Sequence, residues 1–317
     1  MTQLLSIVGP TAIGKTKHSI NLAKIFDCEI ISGDSMQVYR LMDIGTAKVQ
    51  KEEMQNISHH LIDIIYPDEP FNASIFKKLA EKSIEKINKK NKIPLLVGGT
   101  GLYVNGLLYN YNFSHVNHSE EYRLKLEDDI KVHGLEYLYQ KLGEVDPERC
   151  KKISSNDKLR IIRALEVYHL SSVRFSQVNQ EKDQYRSCFD LISFGLNMDR
   201  NLLYERIDRR VDIMIENGLI DEVKYLLSLG YSTKLQSLQA IGYKEIIAAL
   251  NHEISLIKAI ELIKKSSRNF AKRQLTWFRR DPNINWIDVT YLSDQDITNK
   301  MKKVIQNTWL CKEGRGI

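Results

Sequence analysis

Gly9-Pro10-Thr11-Ala12-Ile13-Gly14-Lys15-Thr16 lies between a short apolar run, Leu4 to Val8, and a helical pattern that starts at Lys15 and continues through Ile20, Ala23 and Ile25. The stretch satisfies Gly-x4-Gly-Lys-Thr in full, and strand, loop, helix is the context that gives the pattern meaning. Backbone N–H groups at a helix start have no partner within the helix and carry partial positive charge, so they can surround phosphate oxygens. Lys15 adds a point charge, and Thr16 offers a hydroxyl to a magnesium ion. The loop identifies a phosphate, not a reaction.

Outward from it, Glu29 to Ser32 reads as a second strand, followed by a polar stretch through Asp68. Ala73 to Asn91 carries Ile75, Phe76, Leu79, Ala80, Ile84 and Ile87 at helical spacing. Ile93 to Val97 is a continuous apolar run cut by Gly98 and Gly99, as in a strand buried on both faces of a parallel sheet. From His115 to Asp190 such runs vanish. Helical patterns at Glu120 to Leu142 and Asp157 to Leu170, with Asn156 as N-cap, predict a helical insertion. Leu191 to Leu196 returns as a strand, followed by helices over Asn201 to Ile215, Ile220 to Leu229 and Ile254 to Arg280, and a last strand over Ile284 to Val289. The expected fold class is α/β: a parallel-sheet core from residues 1–114 and 191–317, and a helical domain over 115–190.

A nucleoside triphosphatase normally ends an apolar strand in an acid that helps hold the metal. Here Ile93 to Val97 ends in Gly98-Gly99-Thr100, and the only strand followed by an acid is the second, through Gly33-Asp34-Ser35. Asp34 is thereby placed at the carboxyl edge of a parallel sheet, where open α/β folds bind ligands. Metal ligand, base and turn former all remain open for it, since Gly-Asp-Ser is also good loop chemistry.

At 317 residues the chain has room for about two domains, and 43% apolar with 27% charged residues excludes a disordered tail, a collagen or a disulfide miniprotein. The amino terminus has no basic region ahead of its apolar run, and no stretch of about eighteen uncharged apolar residues follows, so the expectation is a cytoplasmic protein without a membrane partner. Cys28, Cys150, Cys188 and Cys311 are far apart and expected to be reduced and mostly buried. Charge is more informative by place than by sum: the net is 46 − 40 = +6, yet Lys264 to Arg280 holds seven bases and no acid. Arg268, Lys272 and Arg279, at spacings of four and seven, share a helix face that can follow phosphates, which favours a polyanionic partner. Trp277 and Phe278 either stack on a base or fill the core, with core the better reading. Arg123, Arg160 and Arg163 add charge in the insertion, although Arg163 can equally pair with Glu166 at i, i+3. Arg206, Arg209 and Arg210 have Asp208 and Asp212 beside them, so two of the three read as ion pairs. His59-His60 lacks a third ligand at metal spacing and is not read as a metal site.

Together these residues resemble a known family, the tRNA dimethylallyltransferases or tRNA isopentenyltransferases. The resemblance rests on Gly9 to Thr16, Ile31-Ser-Gly-Asp-Ser-Met-Gln-Val-Tyr39, Met42-Asp-Ile-Gly-Thr-Ala-Lys48, His59-His-Leu-Ile-Asp63, Leu96-Val-Gly-Gly-Thr-Gly-Leu-Tyr103, Arg163-Ala-Leu-Glu-Val-Tyr168, Ala240-Ile-Gly-Tyr-Lys244 and Lys272-Arg-Gln-Leu-Thr-Trp-Phe-Arg279. It implies a P-loop NTPase-like parallel-sheet core with a helical insertion domain, and transfer of a prenyl group from dimethylallyl diphosphate to the N6 amine of the adenine just 3′ of the anticodon. It further implies that Gly9 to Thr16 hold the donor's diphosphate, with Mg2+ as cofactor through Thr16, and that Arg210 lies close to that diphosphate. Asp34 is implied as the catalytic acid or base, and Thr100 as a neighbour of the acceptor base. The tRNA anticodon stem-loop would touch Asp34, Ser35, Met36 and Gln37; Arg123; Asn156, Asp157, Lys158, Leu159 and Arg160; Gln239, Ala240, Ile241, Gly242, Tyr243 and Lys244; and Lys272, Arg273, Gln274, Leu275, Thr276, Trp277, Phe278 and Arg279. No Cys/His cluster accompanies Cys311, so the zinc-finger extension of some longer relatives is not expected, and a monomer is the default. The competing readings are a P-loop kinase for a nucleotide or small metabolite, which needs no basic carboxyl-terminal helix, and a non-catalytic RNA-binding or nucleotide-switch module.

Overall fold

Six strands, all parallel, form one sheet in the computed structural model, which describes residues 1–113, 119–178 and 185–310. The expected domain boundary at residues 114 and 115 and the cysteine at position 311 lie outside the described residues. Along the chain the elements are β1 (Gln3–Val8), α1 (Lys15–Phe26), β2 (Cys28–Gly33), β3 (His59–His60), α2 (Ala73–Asn88), β4 (Ile93–Gly98), α3 (Gly101–Leu108), α4 (Glu120–His133), α5 (Leu135–Val145), α6 (Pro147–Lys152), α7 (Lys158–Ser171), α8 (Phe175–Val178), β5 (Asp190–Asn197), α9 (Arg200–Glu216), α10 (Leu219–Ser228), α11 (Tyr243–Leu250), α12 (Leu256–Phe278), β6 (Ile284–Asp288) and α13 (Asp294–Ile305).

The strand order is β3-β2-β4-β1-β5-β6. Leu4, Leu5 and Ile7 of β1 are completely buried, as expected for the central strand of a sheet covered on both faces. Register does the work of assembling a site: Val8 lies opposite Gly98, and Gly98 opposite Gly33. The loops leaving β1, β4 and β2 therefore start at the same level on the carboxyl edge of the sheet, although they are tens of residues apart in sequence.

The chain divides into two compact units, one taking it up to Tyr109 and again from Ser187, the other spanning Asn110–Arg186. Within the second, Leu126, Leu138, Leu142, Ile153, Ile161, Ile162 and Leu165 form a separate apolar core.

Several local expectations are corrected. The helical pattern from Glu120 to Leu142 is two helices, because Gly134 at φ +82° ends α4 and begins α5. Asp157, not Asn156, caps α7: its carboxylate accepts the Arg160 N–H at 3.2 Å. Among the described cysteines Cys28 is buried, Cys150 half-buried and Cys188 exposed, against the expectation that most are buried. Six of these elements are additional to those expected from the sequence: β3, α3, α6, α8, α11 and α13. β3 has two residues, α3 continues an apolar run past a glycine, and α6, α8 and α11 are short, although α11 carries Tyr243, Ile246, Ile247 and Leu250 at helical spacing. α13 also carries a periodic signal, with Ser293 as N-cap and Ile297, Met301 and Ile305 on its buried face. Among the described residues no helix is long and apolar enough to cross a membrane.

Candidate active site

The loop after β1 is shaped by its backbone. Gly14 stands at φ +98° and Ala12 at φ +63°, which turns the chain sharply before α1 begins. Among the described residues, the N–H groups of Ala12 to Thr16 have no protein acceptor. The Lys15 ammonium folds over the loop, donating to the carbonyls of Gly9 at 3.0 Å and Pro10 at 2.7 Å. Burial, reinforced by the Arg210 charge and opposed by Asp34, pushes the Lys15 pKa down to about 7. These groups face a cleft of about 280 Å³ lined by residues Thr11 to Thr16, Asp34, Gln37, Thr46, Ala47, Arg210, Phe270 and Gln274.

Asp34 enters that cleft from the end of β2. Its Oδ1 accepts the Met36 N–H at 2.8 Å, so the turn reading is real, while Oδ2 carries no hydrogen bond among the described residues. One oxygen shapes the loop and the other is available for chemistry. Thr100 stands beside it after β4: its hydroxyl accepts the Ser35 N–H at 3.1 Å and thereby ties the Asp34 loop to the start of α3.

The three arginines of α9 part company. Arg210 reaches the cleft, donating to the Thr11 hydroxyl at 3.3 Å and towards the Ala47 carbonyl at 3.5 Å, whereas Arg206 and Arg209 are exposed. The expected pairing of these arginines with Asp208 and Asp212 is not found. Asp208 takes Arg268 at 2.6 Å and Asp212 takes Lys264 at 2.6 Å, both from α12. The basic run of α12 therefore has counter-acids after all, supplied by a neighbouring helix. Lys265, Lys272, Arg273, Arg279 and Arg280 are exposed with no acid partner among the described residues.

The other expected residues are dispersed. Phe278 is completely buried, and Trp277 is half-buried against Gly101, where a Cβ would stand 2.4 Å from its ring. Leu275 is half-buried and Thr276 exposed. Of Gln239 to Lys244, only Gln239 and Lys244 are exposed; Tyr243 is core. In the second unit Asn156, Lys158, Leu159 and Arg160 are exposed, while Arg123 and Arg163 both grip the buried Glu166 carboxylate, at 2.8 Å and 2.6 Å. Those two arginines hold the Glu166 pKa at about 2 against the cost of burial. His60 bonds to Glu29 at 2.8 Å, a buried carboxylate that also takes Lys90 at 2.9 Å, and His59 bonds to the Ile57 carbonyl. Among the described residues no group of three or more His, Cys, Asp or Glu is placed to hold a metal.

Two residues that build the cleft escaped the sequence reading in that role. Glu222 of α10 accepts the N–H groups of Asp43, Ile44 and Gly45 at 2.8, 2.7 and 3.1 Å and the Tyr243 hydroxyl at 2.6 Å. It anchors the segment whose Thr46 and Ala47 wall the cleft; in sequence it looks like any exposed helix acid. Gln274, read as an RNA contact, is buried and bonds Thr11 and Gly99.

A cleft combining free N–H dipoles, Lys15, Arg210 and a carboxylate oxygen suits departure of a polyanion from a carbon or phosphorus centre next to a group that loses a proton. A family model described as IPP transferase matches residues 37–281. The chain is similar to the full-length tRNA isopentenylpyrophosphate transferase of Bacillus halodurans, with 43% identity over 99% of this chain and 100% of that one, and a TM-score of 0.74. It is similar to the tRNA delta(2)-isopentenylpyrophosphate transferase of Staphylococcus epidermidis, with 44% identity over 97% of this chain and 100% of that one, at 0.73. A eukaryotic dimethylallyltransferase acting on tRNA matches at 29% identity over 98% of this chain and 80% of that one, at 0.82. With a family model over most of its length and relatives above 40% identity end to end, this chain belongs to the IPP transferase family.

Proposed function

We propose that this chain moves a dimethylallyl group from dimethylallyl diphosphate to the N6 amine of the adenine 3′ of the anticodon in tRNA. The observation that carries the reading is the free Oδ2 of Asp34 in the same cleft as the phosphate loop. A donor diphosphate on the N–H groups of Ala12 to Thr16 leaves its allylic carbon within the cleft. As the bond from N6 to that carbon forms, the bond from carbon to oxygen breaks, and its electron pair departs with the diphosphate. Lys15, Arg210 and the loop dipoles stabilise the charge gathering there. The N6 proton passes to Asp34, which offsets the poor nucleophilicity of an amine whose lone pair is delocalised into the purine. Reaching Asp34 requires the base to leave its stack, at a cost of a few kcal/mol. Exposed Lys272, Arg273 and Arg279 hold the backbone while it does so.

The Thr16 hydroxyl, at the start of α1 on the same cleft, is a hard oxygen donor that fits magnesium alongside phosphate oxygens. Bound there, the ion would neutralise charge on the departing diphosphate. The partners in this reading are tRNA and the prenyl donor, met in the cytoplasm by a monomer. Incubating the protein with dimethylallyl diphosphate and unmodified tRNA should release diphosphate and add one prenyl mass to one adenosine. Consumption of ATP with phosphorylation of a small acceptor, and no prenyl mass, would refute it.

A further inference from the structure

Gln274 projects from near the carboxyl end of α12 into the protein, 5% exposed, while Lys272 and Arg273 on the same turn face solvent. Its amide is used at both ends. Oε1 accepts the Thr11 N–H at 2.9 Å, and Nε2 donates to the Gly99 carbonyl at 3.0 Å. The two partners fix which end of the amide is which, since an N–H needs an acceptor and a carbonyl a donor. Neither backbone group has a strand partner, so without Gln274 both would be left unpaired beside the cleft.

The two loops bridged in this way serve different halves of the reaction. Thr11 belongs to the phosphate loop. Gly99 precedes Thr100, whose hydroxyl holds Ser35 next to Asp34. The approach is close by construction: a Cβ on Gly99 would stand 2.1 Å from Gln274 Nε2.

We infer that Gln274 is a positioning residue that sets the spacing between the donor cradle and the acid-bearing loop, rather than a contact to RNA. The inference rests on the prenyl-transfer reading. Attack of an amine on carbon needs reacting atoms within about 3–3.5 Å, and a misplacement of about 1 Å can cost about a hundredfold in rate. One side chain tied to both loops limits that error.

Three variants test it: Gln274→Met, which keeps the volume and removes both bonds; Gly99→Ala, whose methyl must push the flexible amide aside without altering α12; and the double variant. Each single change should lower kcat about ten- to a hundredfold, weaken binding of inorganic pyrophosphate, and leave tRNA affinity unchanged. The double variant should be no slower than the slower single, because both act through one clamp. Losses that multiply in the double variant, or weakened tRNA binding with kcat preserved, would overturn the inference. Thermal melting identifies any variant that fails to fold; should Gln274→Met do so, Gly99→Ala carries the same reading alone. Absence of prenyl transfer by the unaltered protein would sink the proposed function instead, and pyrophosphate affinity would still report on the clamp.

Discussion

Two glycine-rich loops leave neighbouring strands at the same level of the sheet, Gly9 to Thr16 after β1 and Gly98 to Gly101 after β4. In the first, Gly14 at φ +98° turns the chain so that the N–H groups of Ala12 to Thr16 face an open cleft, while Gly9 makes room for β5, whose Leu196 carbonyl oxygen would stand 2.8 Å from a Cβ there. In the second, the vacated space is already full. A Cβ would stand 2.5 Å from the Gly33 carbonyl oxygen at position 98, 2.1 Å from Gln274 at position 99 and 2.4 Å from Trp277 at position 101. Glycine thus marks a close approach of a neighbouring strand in both loops, at Gly9 and at Gly98, but only the second is also covered by a helix, α12, at Gly99 and Gly101. The contrast explains why a strand end without a metal-binding acid still belongs to the site, since it takes α12 on Gly99 and Gly101 and holds the Asp34 loop through Thr100.

The largest expected effect falls on the residue between the two loops. Asp34→Asn keeps an oxygen to accept the Met36 N–H and so preserves the turn, but it cannot take a proton. Turnover should fall by about 10²–10⁴ with tRNA affinity unchanged, read from single-turnover rates and filter binding. Near-normal turnover would reduce Asp34 to a turn former.

Gly101→Ala probes the filled loop. Its methyl must displace the Trp277 ring, and overpacking of that kind costs about 1–3 kcal/mol, visible as a lowered melting temperature. Pyrophosphate affinity should stay close to that of the unaltered protein. Lost pyrophosphate binding at an unchanged melting temperature would mean that both loops cradle ligand, and the contrast would collapse.

How much of this was legible in sequence follows from how local each signal is. Gly14-Lys15-Thr16 after a strand and before a helix is a local pattern, and β1, α1, β4 and α12 all lie where their periodicity placed them. Pairing across elements is not local. Nothing near Arg268 announces that Asp208 will neutralise it, because the two are brought together only by packing of α9 on α12. Glu222 is hidden for the same reason: three N–H groups from residues 43–45 converge on it across the fold. Charge counted along a helix therefore overstates the charge free to meet RNA. Changing Lys272, Arg273 and Arg279 together to Ala should lower the salt slope of tRNA binding by about two, at about 0.7 per phosphate contact of a single strand. Arg268→Ala should leave that slope unchanged. The reverse result would move the footprint to the paired arginine and end the distinction between filled and free charge.

The smallest effect is one proton, and it isolates the open loop. Lys15, held near 7 by burial and by Arg210, is mostly neutral at pH 8 in the free protein. A bound diphosphate supplies the negative charge that the free cleft lacks, so the Lys15 pKa rises on binding and the ammonium is restored. Calorimetry of dimethylallyl diphosphate binding at pH 8, in two buffers of different ionisation enthalpy, should show uptake approaching about one proton. That uptake should shrink towards zero as the pH falls to about 6, where Lys15 is already charged, and apparent affinity should weaken as pH rises above about 7. Lys15→Met should abolish the uptake. Uptake that persists in Lys15→Met would assign the proton elsewhere, and no uptake in the unaltered protein would mean that Lys15 stays charged in the empty cleft.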